Sequence, residues 1–342
     1  MELDQFWYIA AQSKDVGKDK PFATKILNEW VVIFRDESGE AQALQDRCAH
    51  RCAQLSKGTV KNGELSCPYH GWTYRGDGNV THVPSEGPRR AMNTKNTSRK
   101  TRNFQVLEAQ DYIYVCLSEK PVVLPPFSIP GFRLPGWGSI RVINRFKNNV
   151  TNCVENFVDI PHTVSVHPKI FRNTKEEKFG ATVKRVSGSV HVRYHQERAN
   201  LGYFSWFLNP KNVEMLHTDE FHMPNITTVC YSAGETRTFH ITSQSIPVTD
   251  DETLVYTDVT YAYGRWTQFA GPFVRRIAQK IIDQDLVILE NQMHGIKKYG
   301  TQFMNSEADI IHVMIESIRK ELENKKDPRE LSEKEYTIEF WV

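Results

Sequence analysis

Cys48-x-His50 and Cys67-x-x-His70, separated by sixteen residues, bring two thiols and two imidazoles into one short stretch. Thiolate and imidazole ligands point to zinc or iron–sulfur chemistry. Lone cysteines are commonly buried and inert, but two Cys–His pairs this close are hard to assign to packing. A Cys2His2 zinc site is one reading. Zinc fingers usually gather their histidines on one helix after both cysteines, whereas each pair here holds one of each. That symmetry suits a two-iron centre with both thiolates on one iron and both imidazoles on the other. Neutral imidazoles lessen the negative charge at their iron, so the potential rises.

A second constellation lies about a hundred residues on, in "VENFVDIPHTVSVHP", with Asn156, Asp159, His162 and His167. On a regular helix Asp159 and His162 share a face. His162 and His167 are about 140° apart around such a helix and cannot both reach one ion. Pro161 lacks an N–H, and Pro168 disfavours helical geometry at His167. These prolines predict a π-like bulge or a helix end between Thr163 and His167 that swings the second imidazole inward. The third ligand is expected in "FVRRIAQKIIDQDLVILENQM", where Val274, Ile277, Ile281 and Leu289 recur at helical spacing. Asp285 falls on this apolar stripe and Asp283 on the opposite face. A carboxylate on a buried face is costly unless a cation compensates it, which singles out Asp285. Two histidines and one carboxylate form the facial triad of non-haem Fe(II) sites, with positions open for O2.

The elements that must hold these residues divide in two. The 342 residues suit two ordinary domains. The first third reads as short strands broken by "ESGE" and "GDG", a small sandwich or barrel over 1–120. The stretch 121–138 is Pro-rich and reads as a connector. Residues 139–342 alternate as strands over 180–263 and then become helical over 267–298 and 306–326. The class is therefore α+β: an N-terminal all-β domain, then an antiparallel sheet flanked by helices. At 39% hydrophobic and 25% charged residues, with a net charge of +2, the composition is that of a soluble globular protein and argues against nucleic acid as a main partner. "MELDQFWYIAAQ" reads as neither a signal peptide nor a membrane span, and no apolar run reaches 18 residues. The six cysteines read as reduced thiols or metal ligands, as in a cytoplasmic protein.

"CAHR…CPYHGW" resembles the cluster-binding motif of Rieske non-haem iron oxygenases, and "ENFVDIPHTVSVHP" with "DQDLVILENQ" is similar to the catalytic motifs of their α-subunits. The nearest branch resembles the short single-component type: vanillate and caffeine demethylases, dicamba and toluenesulfonate monooxygenases, and saxitoxin-type hydroxylases. The resemblance implies a Rieske [2Fe-2S] cluster on Cys48, His50, Cys67 and His70, and a mononuclear Fe(II) on His162, His167 and Asp285. It further implies O2 as co-substrate, NAD(P)H electrons arriving through a ferredoxin or flavin reductase, and a homotrimer. In that trimer Asp159 would bridge His162 to His70 of a neighbouring subunit, with Asn156 beside it. Hydroxylation or oxidative demethylation of a small molecule is favoured over dihydroxylation. Cys52 departs from the usual glycine; with Tyr69 in the opposing loop no disulfide is expected, and Cys52 reads as a small buried residue tuning the loop. The basic stretch with Arg89, Arg90, Lys95, Arg99, Lys100 and Arg102 reads as a docking surface for an acidic reductase or as a solvated loop. Trp206, Phe207, Phe221, Tyr256 and Phe273 could line a substrate pocket, though core packing suits each better. His217 and His222 read as satisfied polar residues. The rival functions are a pure electron carrier or sensor and, more remotely, a zinc-binding interaction module.

Overall fold

The structure is a computed structural model; it describes residues 1–87, 99–122, 126–168, 178–195, 209, 213–234 and 237–341. The chain divides between Pro126 and Phe127, inside the Pro-rich stretch, into two compact units.

The unit over Asp4–Pro126 is all-β. Its strands are β1 (Tyr8–Gln12), β2 (Phe22–Ile26), β3 (Glu29–Arg35), β4 (Ala41–Gln45), β5 (Thr59–Lys61), β6 (Glu64–Ser66), β7 (Thr73–Tyr74), β8 (Val80–His82), β9 (Asn103–Ala109) and β10 (Tyr112–Cys116). They form a six-stranded sheet, β1-β10-β9-β4-β3-β2, and a four-stranded sheet, β5-β6-β7-β8. Val32, Phe34 and Leu44 of the larger sheet pack with Val60, Leu65 and Tyr74 of the smaller one, and Cys48 and Cys67 belong to the same core.

The second unit, Phe127–Val342 with Met1–Leu3, is built on an eight-stranded antiparallel sheet. Its strands are β11 (Gly138–Phe146), β12 (Lys178–Val186), β13 (Ser189–His195), β14 (Met215–His222), β15 (Ile226–Ala233), β16 (Arg237–Thr249), β17 (Glu252–Ala262) and β18 (Lys334–Trp341), ordered β11-β17-β16-β15-β14-β13-β12-β18. Among the described residues the α-helices are α1 (Val150–Asn156), α2 (His162–Val166), the 33-residue α3 (Thr267–Tyr299) and α4 (Ile310–Glu323). Along β14 burial alternates, so Met215, His217, Asp219 and Phe221 face inward, as the period of two in a strand requires. On α3 the buried residues Ile282, Asp285, Leu289 and Met293 recur at spacings of three and four, one helical face.

Asn148, fully buried, ties these elements together. Its Nδ2 donates to the Leu289 carbonyl of α3 at 2.7 Å and its Oδ1 accepts from Asn152 Nδ2 at 2.7 Å. Its own carbonyl accepts from Thr253 of β17 at 2.9 Å. One side chain thus fixes α1 against α3. No helix among the described residues is long and apolar enough to cross a membrane.

Candidate functional site

The two loops of the first unit fold alike. Cys48 N donates to Ala53 O at 2.8 Å and Cys52 N to Cys48 O at 2.9 Å; Cys67 N donates to Trp72 O at 2.8 Å and Gly71 N to Cys67 O at 3.1 Å. In each loop the residue four past the cysteine is left-handed, Cys52 at φ 58° and Gly71 at φ 69°. Cys52 is therefore the counterpart of Gly71. It is also exposed, with its Sγ accepting from Arg47 Nε at 3.3 Å, and not the buried packing residue the sequence suggested. A side chain at a left-handed position costs about 1 kcal/mol. Cys52→Gly should therefore raise stability, by up to about 1 kcal/mol, read as a shifted denaturant midpoint.

Cys48 and Cys67 are 1% and 4% exposed, and His70 is exposed. The His50 and His70 rings meet edge to face at 4.6 Å, and Trp72 stacks on His50 at 4.7 Å. Desolvation, with the charges of His70 and Arg51 adding, lowers the His50 pKa, favouring the neutral imidazole that binds metals. Its Nδ1 is buried with no hydrogen-bond partner. A single tetrahedral ion would draw its donors within about 4 Å of one another. Among the described residues only His162, His167 and Asp285 bring three donors within 4.8 Å. The loop quartet, thiols on the inner side and imidazoles outside, thus fits a two-iron cluster better than one zinc.

In the second unit, α1 is capped by Asn149, whose side chain accepts from Asn152 N. The chain then leaves the helix, and Asp159 sits in the turn before α2 rather than on a continuous helix with His162. The helix α2 ends at Val166, and His167 follows at φ −116°, ψ 55°. The two rings now converge: His162 Nε2 and His167 Nε2 are 3.3 Å apart, and Asp285 Oδ1 lies 3.6 Å and 3.1 Å from them. For ligand bonds near 2.1 Å, donors about 3.0–3.4 Å apart are what one ion requires. Asp285 Oδ1 is buried without a hydrogen-bond partner, a deficit that a cation would meet. The three residues could therefore hold a metal ion, and Asp283 is exposed, away from them.

Each imidazole is oriented through its other nitrogen. His162 Nδ1 lies 3.3 Å from Asp159 Oδ2, bent away from ideal hydrogen-bond geometry, and His167 Nδ1 is 2.9 Å from Gln284 Oε1. Such outer partners fix the ring and raise its basicity. Burial alone would lower the His162 pKa, but Asp159 and Asp285 outweigh it and hold it up to about 9. Burial pushes the Asp285 carboxyl up, yet its contacts with His162 and His167 win and keep it low. A bound divalent ion would displace the proton that these carboxylates hold on His162.

The trio lies on the wall of a cavity of about 120 Å³. Cross-strand register builds its floor. Asp219, Val229, Ile241 and Val259 form one row across β14–β17, and Thr227, Ser243 and Thr257 the next. His217 also lines it, with Nε2 3.0 Å from Asp219 Oδ1, while Tyr194 OH donates to Asp219 Oδ2 at 3.0 Å. Strand alternation marks His217 and Asp219 as inward, but the facing cavity is visible only in three dimensions. Trp206 and Phe207 fall outside the described residues; Phe221 and Tyr256 are core, Phe273 is exposed, and these last three do not line the cavity. His222 pairs with Glu220 at 2.9 Å.

Of the basic stretch, Arg89, Arg90 and Lys95 lie outside the described residues. Arg99 pairs at 2.6 Å with Glu86, an acid just before the stretch, and lies over the Trp72 ring. Arg102 donates to the Leu117 carbonyl and lies over Phe104. The fold therefore uses two of these charges itself, and Lys100 stands exposed beside them.

Residues 6–106 match the Rieske [2Fe-2S] domain, and residues 146–325, just over half of the chain, match the vanillate O-demethylase oxygenase C-terminal domain. This chain belongs to the Rieske non-haem iron oxygenases. Dicamba O-demethylase, oxygenase component, of Stenotrophomonas maltophilia is 33% identical over 165 residues, 47% of this chain and 46% of that protein. Protein TIC 55, chloroplastic, of Pisum sativum is 30% identical over 211 residues, 60% and 35%. The matches thus span about a third to a half of the length of these relatives. Dicamba monooxygenase bound to dicamba superposes with a TM-score of 0.77 over 94% of this chain and 98% of that one; at 22% identity this shows the shared fold. The cofactors of this Rieske oxygenase are a [2Fe-2S] cluster and a non-haem iron.

Proposed function

We propose that this protein is the terminal component of an oxygenase system, which hydroxylates or oxidatively demethylates a small organic molecule with O2 and electrons from NAD(P)H. The convergence of His162, His167 and Asp285 on the wall of a largely apolar cavity carries this reading. Cys48, His50, Cys67 and His70 would hold the cluster and the trio the iron. When bound, the cluster supplies single electrons and the iron supplies O2 activation. The protein's own residues do the rest. Val229, Ile241 and Val259 exclude water and seat an apolar body, and Thr227, Ser243 and Thr257 offer hydroxyls that orient its polar groups. His217 is locked by Asp219 at the β14 end of that floor.

Asp159, in contact with His162, would in our reading bridge to the cluster histidine His70 of a second copy. A head-to-tail ring of three would satisfy every copy equally. Separate reductase delivery of electrons and a cytoplasmic setting belong to the same reading. All six cysteines are free of disulfides, as a reducing compartment requires. The name of one relative, dicamba O-demethylase, supports a small aromatic substrate.

The deciding experiment measures O2 uptake driven by NAD(P)H and a surrogate reductase across substituted aromatic acids and N-methylated heterocycles. Uptake matched by hydroxylated or demethylated product is expected. A purified protein with both metal centres that never couples uptake to product would leave the electron-carrier alternative.

Tyr74 offers a further check on the cluster. Its hydroxyl lies 3.1 Å from Cys48 Sγ and accepts from Ala49 N at 3.0 Å, so with Cys48 as a ligating thiolate the phenol would donate to the sulfur. A hydrogen bond to a ligating sulfur stabilises the reduced cluster. Tyr74→Phe should lower the midpoint potential by about 50 mV, the one-electron equivalent of roughly 1 kcal/mol.

A further inference from the structure

Hydroxylation creates a demand for protons at the cavity beside the trio. The O–O bond breaks, one oxygen enters a C–H bond as hydroxyl, and the other leaves as water. Two electrons, from NAD(P)H, and two protons must therefore reach a buried site for each turnover. The inference that follows rests on the oxygenase reading above.

A second cavity, of about 360 Å³, shares Asn156 and Asp159 with the first, both residues lining each. Its walls include Glu155 of α1 and Asp309, His312 and Glu316 at and within α4. Glu155 is only 8% exposed, and its Oε1 is buried with no hydrogen-bond partner. A bare carboxylate there would be costly. Three-donor metal ligation does not explain the cluster, because among the described residues that geometry occurs only at His162, His167 and Asp285.

We propose that this second cavity is the proton inlet of the oxygenase site, and that Glu155 is the group that holds the proton. The groups facing Glu155 fit the role. Glu316, Asp159 and Asp309 repel its negative charge, and Arg319 alone opposes them. Burial is the largest influence, Glu316 adds to it, and together they push the Glu155 pKa up to about 8, so that it carries a proton at neutral pH. His312, 3.7 Å from Asp309, lines the same cavity and would reload it from solvent. Glu155 touches no reacting atom; it serves through the wall that Asn156 and Asp159 form.

The test uses the full holoprotein. Resting wild type, titrated by infrared spectroscopy without substrate or O2, should show a protonated-carboxyl carbonyl band at pH 7 that disappears as pH rises through about 8. Glu155→Gln, which keeps the shape and neutrality of the acid, should lack that band while retaining iron content and the rate of cluster reduction by dithionite. With a substrate found by the uptake screen, the variant should turn over at least about tenfold more slowly at pH 7. It should also lose the alkaline limb near pH 8. A purely structural role predicts unchanged turnover in this isosteric variant, and that result, or a wild type without the band, overturns the inlet. Wild type that shows the band but takes up no O2 with any substrate refutes the oxygenase reading, and the inlet with it. The wild-type titration decides the proton by itself if the variant folds poorly.

Discussion

Asp285→Ala should empty the single-iron site, leave the two-iron cluster in place, and lower product formation about a thousandfold or more. The carboxylate is 3% exposed and lies within 3.6 Å of both imidazole nitrogens, so no water-exposed group can replace it cheaply. Losing an outer partner of a ligand already costs about 10–100-fold in metal affinity, and losing a ligand itself costs more. The cluster's visible absorption should be unchanged, because Cys48, His50, Cys67 and His70 belong to the other unit. Iron and acid-labile sulfide counts on anaerobically purified protein check both halves. Asp283→Ala is the control: Asp283 is exposed, bonded to Gln279, and should keep full iron. A variant at Asp285 that retains its iron would remove this residue from the ligand set.

The second large effect is expected from Asp159→Asn. Both metal centres should remain, while turnover falls about a hundredfold or more. Asp159 contacts His162 on the nitrogen that faces away from Asp285, so the change does not touch the inner donors. An amide keeps the size of the carboxylate but loses its charge, and cannot accept from two imidazoles equally. The expected pattern is normal reduction of the cluster by the reductase, followed by slow re-oxidation in a single turnover. Asp159→Glu should recover part of the rate. Re-oxidation at the wild-type rate in the asparagine variant would exclude Asp159 as the bridge.

The sequence made local chemistry easiest to read. Cys48, His50, Cys67 and His70 lie within one stretch, so their spacing speaks without the fold. His162 and His167 were harder, because five residues on a helix diverge; Pro161 and Pro168 signalled the interruption, and the helix ends just before His167. Asp285 was separable from Asp283 because only one of them falls on the apolar stripe of α3. Cys52 is exposed rather than buried; the glycine usual at its position in the resemblance hints at its positive φ, and the match to Gly71 emerges when the loops' backbone bonds are compared. Gln284, beside Asp285, gave no sign that it would hold His167. His217, Asp219 and Glu155 depend on which surface faces them across the sheet or helix pair, and periodicity carries no such information. The α+β order was legible because strand alternation and helical periodicity occupy different parts of the chain.

The cavity floor has a consequence for how this protein can diversify. Its rows, Asp219–Val229–Ile241–Val259 and Thr227–Ser243–Thr257, lie on strands, whereas His162, His167 and Asp285 come from α2, its end, and α3. A change at Val229, Ile241 or Val259 alters the floor alone, and the intervening strand residues point to the opposite face. The strand floor of the cavity and the three candidate ligands are therefore carried by different elements, while Ala278, Ile281 and Ile282 of α3 complete the lining beside Asp285. If the proposed oxygenase reading holds, row positions of the floor can change one at a time while His162, His167 and Asp285 stay in place.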